Sequence, residues 1–448
     1  MYCVRFAKLP IDVPKFGTEP GRSLVHGLGD HINREQPVQS NCMSSVSVGV
    51  TSDSQEIAPT AQQWSICVLV VQVRRVPETR IAREMDTDRK LRINWIFTST
   101  GLSGGVKSNR LIAEAMARRG HDVCLYYSHA IRMPPPFWRV HRFSRWLRKN
   151  FNRHIIRERH HLSLSKVPVV PVRRWPILHQ DVRDADISIA TWWESAEWIA
   201  DWPACKGEKF YFIRHYEVHG KSAERANATY SLPLRKLVIA NWLKRLMAES
   251  FGDDNAVLVP NGVDRQQFYA VVRDRGQPAT VGMLYGQQKW KGAHTAFAAI
   301  RLLQRTDPTI RVVAFGSSRP PNDQNLPANL EFYLAPPQEE IRQIYSQADC
   351  WIVPSTTEGF GMPGIEAAAC RCPLVVTRCG GPEDYLCEGS NGFLVPVEDP
   401  AAMAQRIGQV LALSNDQWRS MSRASFEMSL RFDWDRSAAT LEQALLQT

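Results

Sequence analysis

The segment CWIVPSTTEGFGMPGIEAAACRCPLVVTR, residues 350–378, constrains the fold more than any other part of the chain. It begins with a short apolar run that predicts a buried strand, passes through a glycine-rich loop and reaches helix-forming residues after Pro363. Proline is favoured at the first position of a helix because its φ angle is already helical there. We therefore predict a strand, a glycine loop and a helix N-terminus, followed by another strand.

Two glutamates flank this loop with seven residues between them. Glu358 is predicted on the loop and Glu366 about one turn into the helix. Their carboxylates would then stand on the order of 10 Å apart, given ~1.5 Å rise per helical residue. That separation suits two parts of one bound molecule, and the glycines and free helix-start N–H groups favour an anion such as a diphosphate. The alternative is a plain strand-to-helix turn without a ligand.

The sequence EGFGMPGIE resembles the Glu–seven residues–Glu signature of retaining glycosyltransferases of family 4, the group 1 glycosyl transferases, which have the GT-B fold. The resemblance implies that Glu358 holds hydroxyl groups of the donor sugar and that Glu366 holds the ribose of the nucleotide. It also implies donor contacts at the loop and helix start, from Phe360, Gly361 and Met362.

Composition predicts a globular protein with an additional N-terminal segment. The 448 residues are 44% hydrophobic and 22% charged, which allows two ordinary domains. Residues 1–88 show no sustained period, so we predict a disordered extension, although a mis-assigned start codon would look the same. We find no membrane-length apolar run and no signal-peptide pattern. Ten cysteines without a CxxC pair favour free thiols in the cytoplasm.

Strand and helix patterns alternate from Leu91 onward. RINWIFTS predicts a strand, GLSGG a loop, SNRLIAEAMARRG a helix and HDVCLYY the next strand. Doubly wound folds hold phosphate at such a first crossover. The family resemblance places a similar Gly-Gly loop over the donor phosphates, which makes Gly104 and Gly105 candidate donor-binding residues.

Two further predicted strands end in polar and aromatic residues. Ile187–Ala190 runs into Thr-Trp-Trp-Glu, and Lys209–Ile213 runs into Arg-His-Tyr-Glu-Val-His. Ligands of open α/β sheets lie beyond the carboxyl ends of strands. Some members of the resembled family carry a histidine here, close to the donor sugar. His215 is therefore the candidate catalytic histidine, with His219 as a competitor and a purely structural histidine as the alternative.

The segment FWRVHRFSRWLRKNFNRHII, residues 137–156, predicts a basic amphipathic helix. Such a helix suits an anionic membrane surface, although a core-packing helix with a solvated charged face would show the same pattern. The net charge of +10 also indicates anionic partners. Because many members of the resembled family act on lipid-linked acceptors, we expect a cytoplasmic protein that is peripheral at the inner face of the membrane.

The segment VLVPNGVDRQQF, residues 257–268, resembles the interdomain signature of the same family. The next strand begins Thr-Val-Gly at residues 280–282 and leads into MLYGQQKWKG. The family usually has an Arg just after Gly282 and a Lys before the glycine that ends this segment, both at the donor diphosphate. Lys291 matches the lysine and is a candidate catalytic residue. Met283 stands where the arginine is expected, and Lys289 could supply the missing charge.

We therefore predict an α/β protein of GT-B fold, with two Rossmann-like doubly wound domains facing across a cleft. The domains are residues 89–265 and 266–430, and a terminal helix in 431–448 packs back on the first domain. The predicted activity is transfer of a hexosyl group, with retention, from a nucleotide-diphosphate sugar to a polysaccharide, lipid-linked or small glycan acceptor of the cell envelope. Lys291 and the helix N-terminus would stabilise the leaving diphosphate. No metal or other cofactor is expected.

Two other classes of function stay open on the sequence. One is a non-catalytic nucleotide-sugar-binding module that lost turnover through the Met283 change, against which the retained Glu358, Lys291 and Glu366 argue. The other is a basic nucleic-acid-binding protein acting through residues 137–159. Because no nucleic-acid-binding fold is recognisable, we expect no nucleic-acid partner. An epimerase or phosphorylase of the same fold ranks below these, since no cofactor-lysine motif is found.

Overall fold

The computed structural model describes residues 89–101, 103–129, 160–218, 222–321 and 325–447. The predicted N-terminal extension, residues 1–88, and the basic amphipathic segment, residues 137–156, lie outside the described residues, as does His219. Within the described ranges, no helix combines the length and the apolar character that crossing a bilayer requires.

The first domain is built on a parallel sheet that has seven strands among the described residues. The strands are β1 (Arg92–Phe97), β2 (Asp122–Ser128), β3 (Val169–Val172), β4 (Ile187–Ala190), β5 (Glu208–Ile213), β6 (Arg235–Val238) and β7 (Val257–Leu258). They lie in the order β3-β2-β1-β4-β5-β6-β7, and every neighbouring pair is parallel. Strands β2 and β3 lie on one side of β1, and the later strands β4 to β7 lie on the other side. The strand order therefore reverses between β1 and β4, which is the switch point where doubly wound sheets bind ligands.

Among the described residues, the helices of this domain are α1 (Gly104–Arg118), α2 (Trp193–Ala200), α3 (Ala223–Thr229) and α4 (Asn241–Phe251). The predicted first helix began at Ser108, whereas α1 begins four residues earlier. Ser103 caps it, because its side chain accepts a hydrogen bond from the Val106 N–H. Gly104 and Gly105 therefore form the first helical turn after β1, and their backbone faces the carboxyl edge of the sheet.

The second domain has a six-stranded parallel sheet. Its strands are β8 (Thr280–Leu284), β9 (Arg311–Gly316), β10 (Leu330–Leu334), β11 (Cys350–Val353), β12 (Leu374–Thr377) and β13 (Gly392–Val395). The order is β10-β9-β8-β11-β12-β13, again with all pairs parallel. The helices are α5 (Ala293–Gln304), α6 (Gln338–Gln347), α7 (Met362–Ala369), α8 (Pro400–Leu411) and α9 (Asn415–Ser429). The strand, glycine loop and helix predicted for residues 350–378 correspond to β11, its loop and α7.

Helix α9 was not predicted from the sequence. Ser414 caps it and exchanges hydrogen bonds with Gln417, which is a Ser-x-x-Gln capping box that marks a helix start. Its Trp418 is buried, and the indole N–H donates to the Asp349 carbonyl at 2.9 Å. The helix is therefore held by an internal hydrogen bond as well as by apolar burial.

The last helix, α10 (Trp434–Leu446), packs against α1 of the first domain. Asp433 caps it, and Glu442 on its surface binds Arg119 and His121, which end α1 and precede β2. The Gly262 position is equally close, because a Cβ atom there would lie 2.4 Å from the Trp434 nitrogen. Helix α10 therefore packs on the first domain although it follows the second domain in the chain.

Candidate active site

A cavity of about 1230 Å³ lies between the carboxyl ends of the two sheets. The residues that line it follow β1, β2, β3, β4 and β5 in the first domain and β8, β9 and β11 in the second. Small-molecule sites usually occupy ~300–1,000 Å³. The cavity therefore has room for more than one bound group.

The glycine loop between β11 and α7 presses directly on the first domain. A Cβ atom at Gly359 would lie 1.9 Å from the carbonyl oxygen of Arg214. The Gly359 carbonyl accepts a hydrogen bond of 3.0 Å from the Trp242 indole. Gly361 has φ +78° and turns the chain into α7, whose first turn contains Pro363. Both glycines are thus required by the local geometry.

Glu358 is nearly buried at the wall of the cavity, with 9% of its surface exposed. Its Oε1 accepts hydrogen bonds from Lys291 Nζ at 2.7 Å and from Ser355 Oγ at 2.8 Å. Lys291 Nζ also lies 4.2 Å from the centre of the Trp290 ring. The carboxylate is therefore held in one orientation by a cation and a hydroxyl, which is what positioning a sugar hydroxyl requires.

Glu366 is held in the same way, but by groups from both domains. Lys107 Nζ, on α1, donates to Oε1 at 2.9 Å, and the Tyr345 hydroxyl donates to Oε2 at 2.9 Å. The Lys107 and Glu366 side chains are only 12% and 8% exposed. Burial, together with the Glu366 charge, raises the pKa of Tyr345 well above its usual value, so the phenol remains a donor.

His215 follows β5 and meets the second domain beside Glu358. Its Nδ1 lies 2.9 Å from the Tyr216 carbonyl, which can only accept, so Nδ1 carries the hydrogen. Its Nε2 lies 3.2 Å from the Thr357 hydroxyl. The ring packs edge-on against Trp242 at 5.9 Å and lies 6.3 Å from that of Trp290, centroid to centroid. His215 is thus fixed at the point where the two domains meet.

Arg214 was not selected from the sequence, although its side chain lines the cavity. Its guanidinium donates to Asn109 and Asn261 through two nitrogens, at 2.9 and 2.6 Å, and lies 3.8 Å from the Phe212 ring centre. Burial lowers the pKa of Arg214 to about 9, which still leaves it charged at neutral pH. Asn261 belongs to the Pro-Asn-Gly motif, so Arg214 ties the interdomain segment to α1. Nothing local in the sequence signals this contact.

Met283 occupies the position at which the family resemblance places an arginine. Its side chain is fully buried in the core of the second domain, whereas the next residue, Leu284, lines the cavity. An apolar core side chain therefore stands at the expected place of a diphosphate cation, while Lys291 of the same domain does line the cavity.

Most of the predicted site residues come together around this one cavity. Those that line it are Gly104, Gly105, His215, Lys291, Glu358, Phe360, Gly361, Met362 and Glu366. The Phe360 ring packs against the rings of Tyr385 and Phe432, so only the backbone of Phe360 is available to a ligand. Lys289 is exposed and is not among the lining residues. Among the described residues no cluster of three His, Cys, Asp or Glu side chains could hold a metal ion.

Comparison with known families identifies the domain that forms the second-domain side of this cavity. Residues 265–427, which contain Lys291, Glu358 and Glu366, match the family model described as glycosyl transferases group 1. The chain carries a group 1 glycosyl transferase domain. The loops of this group 1 domain that follow β8 and β11 are the ones that form the second-domain wall of the cavity.

Curated relatives share this group 1 domain. A D-inositol 3-phosphate glycosyltransferase of Corynebacterium urealyticum is 34% identical over 175 residues, which are 36% of this chain and 41% of that protein. A glycogen synthase of Mycobacterium tuberculosis H37Rv is 26% identical over 277 residues, which are 56% and 67% of the two chains. The chain thus spans about half or less of the length of the inositol phosphate relatives it matches.

Solved structures resemble both domains. HepE of Anabaena, in complex with UDP-glucose, has a TM-score of 0.61 at 16% identity and covers 80% of this chain and 100% of its own. Sucrose-phosphate synthase of Thermosynechococcus elongatus has a TM-score of 0.57 at 17% identity, with 80% and 98% covered. The predicted GT-B fold, with two Rossmann-like domains beside the group 1 site, is confirmed.

Proposed function

We propose that this chain is a glycosyltransferase that moves a hexosyl group from a nucleotide-diphosphate sugar to an acceptor hydroxyl. The observation that carries the proposal is the pair Glu358 and Glu366. Both carboxylates line one cleft, on either side of a glycine loop and helix start, and each is fixed by a lysine. The named functions of the relatives support the same class of reaction.

The contacts suggest how the donor would lie. Carboxylates accept hydrogen bonds from hydroxyl groups, so Glu366 would take the ribose and Glu358 the transferred sugar. The start of α7 and the first turn of α1 both line the cavity, and the free backbone N–H groups of a helix start favour an anion such as a diphosphate. His215 and Thr357 would close the sugar end of the site.

We infer a transfer step with retention of configuration. The bond from the anomeric carbon to the diphosphate oxygen breaks, and a bond to the acceptor oxygen forms on the same face. The acceptor proton passes to the departing diphosphate oxygen. Lys291 and the α7 N-terminus stabilise the negative charge that grows on the diphosphate. This scheme gives no step to a metal ion, and unchanged turnover in a chelator would support that feature.

The first experiment is a thermal-shift panel of UDP, GDP, ADP and dTDP, each with its common sugar conjugates. A ligand at ~100 times its dissociation constant adds ~2.7 kcal/mol to the native state. Such a gain moves the midpoint by several degrees. One nucleotide family that stands out would define the donor. UDP-glucose is tested first, because HepE was crystallised with it. No stabilisation by any conjugate would contradict the proposal.

Two variants separate the roles of the glutamates. Glu366→Ala should weaken binding of the free nucleotide, whereas Glu358→Ala should reduce transfer and spare nucleotide affinity. Glu331→Ala is the control, because Glu331 is an exposed acid outside the cavity. Equal losses of nucleotide affinity in the first two variants would refute the division of roles. Nucleotide-sugar binding without any turnover would instead favour the non-catalytic module.

We propose further that residues 137–156 bring the enzyme to the cytoplasmic face of an anionic membrane, where a lipid-linked or envelope glycan would be the acceptor. The support is the basic amphipathic pattern of the sequence. Binding to vesicles should require anionic lipid and decrease with salt. Vesicle binding that is indifferent to both would refute this part, and salt-dependent binding to any DNA would favour the nucleic-acid alternative.

A further inference from the structure

The cavity extends beyond the donor residues to the far side of the first sheet. Four basic residues line it there, and we call them the basic end: His129 after β2, Arg173 after β3, and His160 and His161 in the segment before β3. The sheet order places β1 and β4 between β2 and β5, which carries His215. At ~4.8 Å between neighbouring strands, the ends of β2 and β5 are roughly 14 Å apart. The basic end is therefore a separate part of the cleft.

Two of the imidazoles pack against one aromatic ring. The rings of His129 and His160 each lie 5.9 Å from that of Tyr127, centroid to centroid. The backbone N–H of Ser163 donates to His160 Nδ1 at 3.1 Å, so the hydrogen of the neutral ring is on Nε2. Burial lowers the pKa of His160 and so favours the neutral ring. His160 thus offers an oriented N–H donor.

Arg173 lies beside His129 because β2 and β3 are paired in register. Ser128 is opposite Val172, and the His129 N–H donates to the Val172 carbonyl at 2.7 Å. Arg173 follows at once and is exposed to the cavity. The next residue, Arg174, instead lies 3.9 Å from Asp181 and is not a lining residue. The two adjacent arginines therefore have different surroundings.

A backbone hydrogen bond of His161 connects the basic end to the loop after β1. Its backbone N–H donates to the Gly101 carbonyl at 3.2 Å, and its side chain is buried. Trp175 also lines the cavity; it is 37% exposed and packs edge-on against Trp198, with the ring centroids 5.7 Å apart. An exposed indole supported in this way offers an apolar face to a sugar ring.

The acids of the cavity lie at other strand ends. They are Glu194, Glu358 and Glu366. Glu194 follows β4, which is two strands away from β2, and the other two belong to the second domain. None of these three carboxylates follows β2 or β3, so the described lining residues at the ends of those two strands include no acid. This lining suits an anion, because guanidinium and N–H donors make charge-assisted hydrogen bonds to phosphate oxygens.

We propose that the basic end binds a phosphate group of the acceptor, so that the acceptor is a phosphorylated sugar or glycan. This inference rests on the proposed glycosyltransferase function and assigns the acceptor class of the same cleft. Arg173 supplies the fixed positive charge, His160 donates a hydrogen bond from Nε2, and Trp175 covers a sugar face. The hydroxyl that is glycosylated then lies toward His215, at the opposite end of the acceptor from its phosphate.

The test measures acceptor-side binding by calorimetry on the full chain saturated with the nucleotide that stabilises it best. The probes are the 6-phosphates of glucose, mannose and galactose, inositol phosphate, the neutral parents, inorganic phosphate, and vesicles with or without phosphatidic acid. At least one phosphorylated probe should bind tenfold or more tightly than its neutral counterpart. A response to sugar phosphates would indicate a soluble source of the phosphate. A response confined to phosphatidic acid vesicles would indicate a lipid headgroup if Arg173→Ala abolishes it, and would otherwise be assigned to residues 137–156.

The matched variants are Arg173→Ala and Arg174→Ala. Loss of a charge-assisted hydrogen bond should weaken the phosphorylated probe about tenfold or more in Arg173→Ala, with nucleotide affinity unchanged. Arg174→Ala should behave as the unmodified chain, and both exposed sites should tolerate the change in folding. Equal binding of phosphorylated and neutral probes, or equal effects of the two variants, would overturn the proposal. Failure of every nucleotide to bind would instead reject the proposed function on which it rests.

Discussion

The ion pair between Lys107 and Glu366 makes a quantitative prediction, because it joins α1 of the first domain to α7 of the second. At the observed 2.9 Å and an effective dielectric constant of ~20, the gross attraction is about 6 kcal/mol. Desolvation offsets most of it, and removing one partner of a buried pair usually costs ~3–5 kcal/mol. Because this pair borders an open cleft, we expect ~2–3 kcal/mol for Lys107→Met or Glu366→Gln.

The assay is a double-mutant cycle on the free energy of the first unfolding transition in urea. The double variant Lys107→Met/Glu366→Gln should lose less than the sum of the single losses, with a coupling energy of ~1–3 kcal/mol. The control pair is Arg118 and Asp435, whose side chains are 54% and 67% exposed. Its coupling should not exceed ~1 kcal/mol. Additive losses for Lys107 and Glu366, or equal coupling in both cycles, would refute the reasoning.

Three further predictions concern Gly359 in the second-domain glycine loop, Gly104 at the start of α1, and the buried Glu217 of the first domain. Gly359→Ala should lower stability by ~1–3 kcal/mol and reduce transfer, because its Cβ would meet the Arg214 carbonyl; an unchanged midpoint would be contrary evidence. Gly104→Ala meets no atom within 4 Å, so it should keep the midpoint yet weaken nucleotide binding, and unchanged affinity would remove Gly104 from the donor site. Burial raises the pKa of Glu217 to about 8, so its native state keeps a proton that the unfolded chain releases above about pH 4.5. Stability should fall by up to ~1.4 kcal/mol per pH unit as the pH rises toward 8, and Glu217→Gln should flatten that profile in urea titrations; identical slopes would contradict the assignment.

The parts of the site that the sequence predicts are those encoded within a short stretch. The strand, glycine loop and helix around Glu358 are local, because Gly361 supplies the positive φ and Pro363 starts the helix. The Gly104-Gly105 turn and the strand before His215 are equally local. Each follows from strand and helix periodicity and from the rule that ligands lie beyond strand ends.

The parts that were missed depend on contacts between distant residues. Lys107 and Glu366 are 259 positions apart, and Arg214 reaches Asn109 over 105 positions. No periodic pattern reports such a pairing before the chain is folded. The basic end was missed because its members come from three separate loops.

The measurement that tests the central claim most directly is release of nucleotide diphosphate from the donor chosen by the thermal-shift panel. The unmodified chain and Glu358→Ala would be compared, with phosphorylated and neutral acceptors. We predict turnover that requires an acceptor, is lost in Glu358→Ala, and yields a product with the anomeric configuration of the donor. Binding of the donor without turnover by the unmodified chain, or equal turnover in Glu358→Ala, would contradict the account.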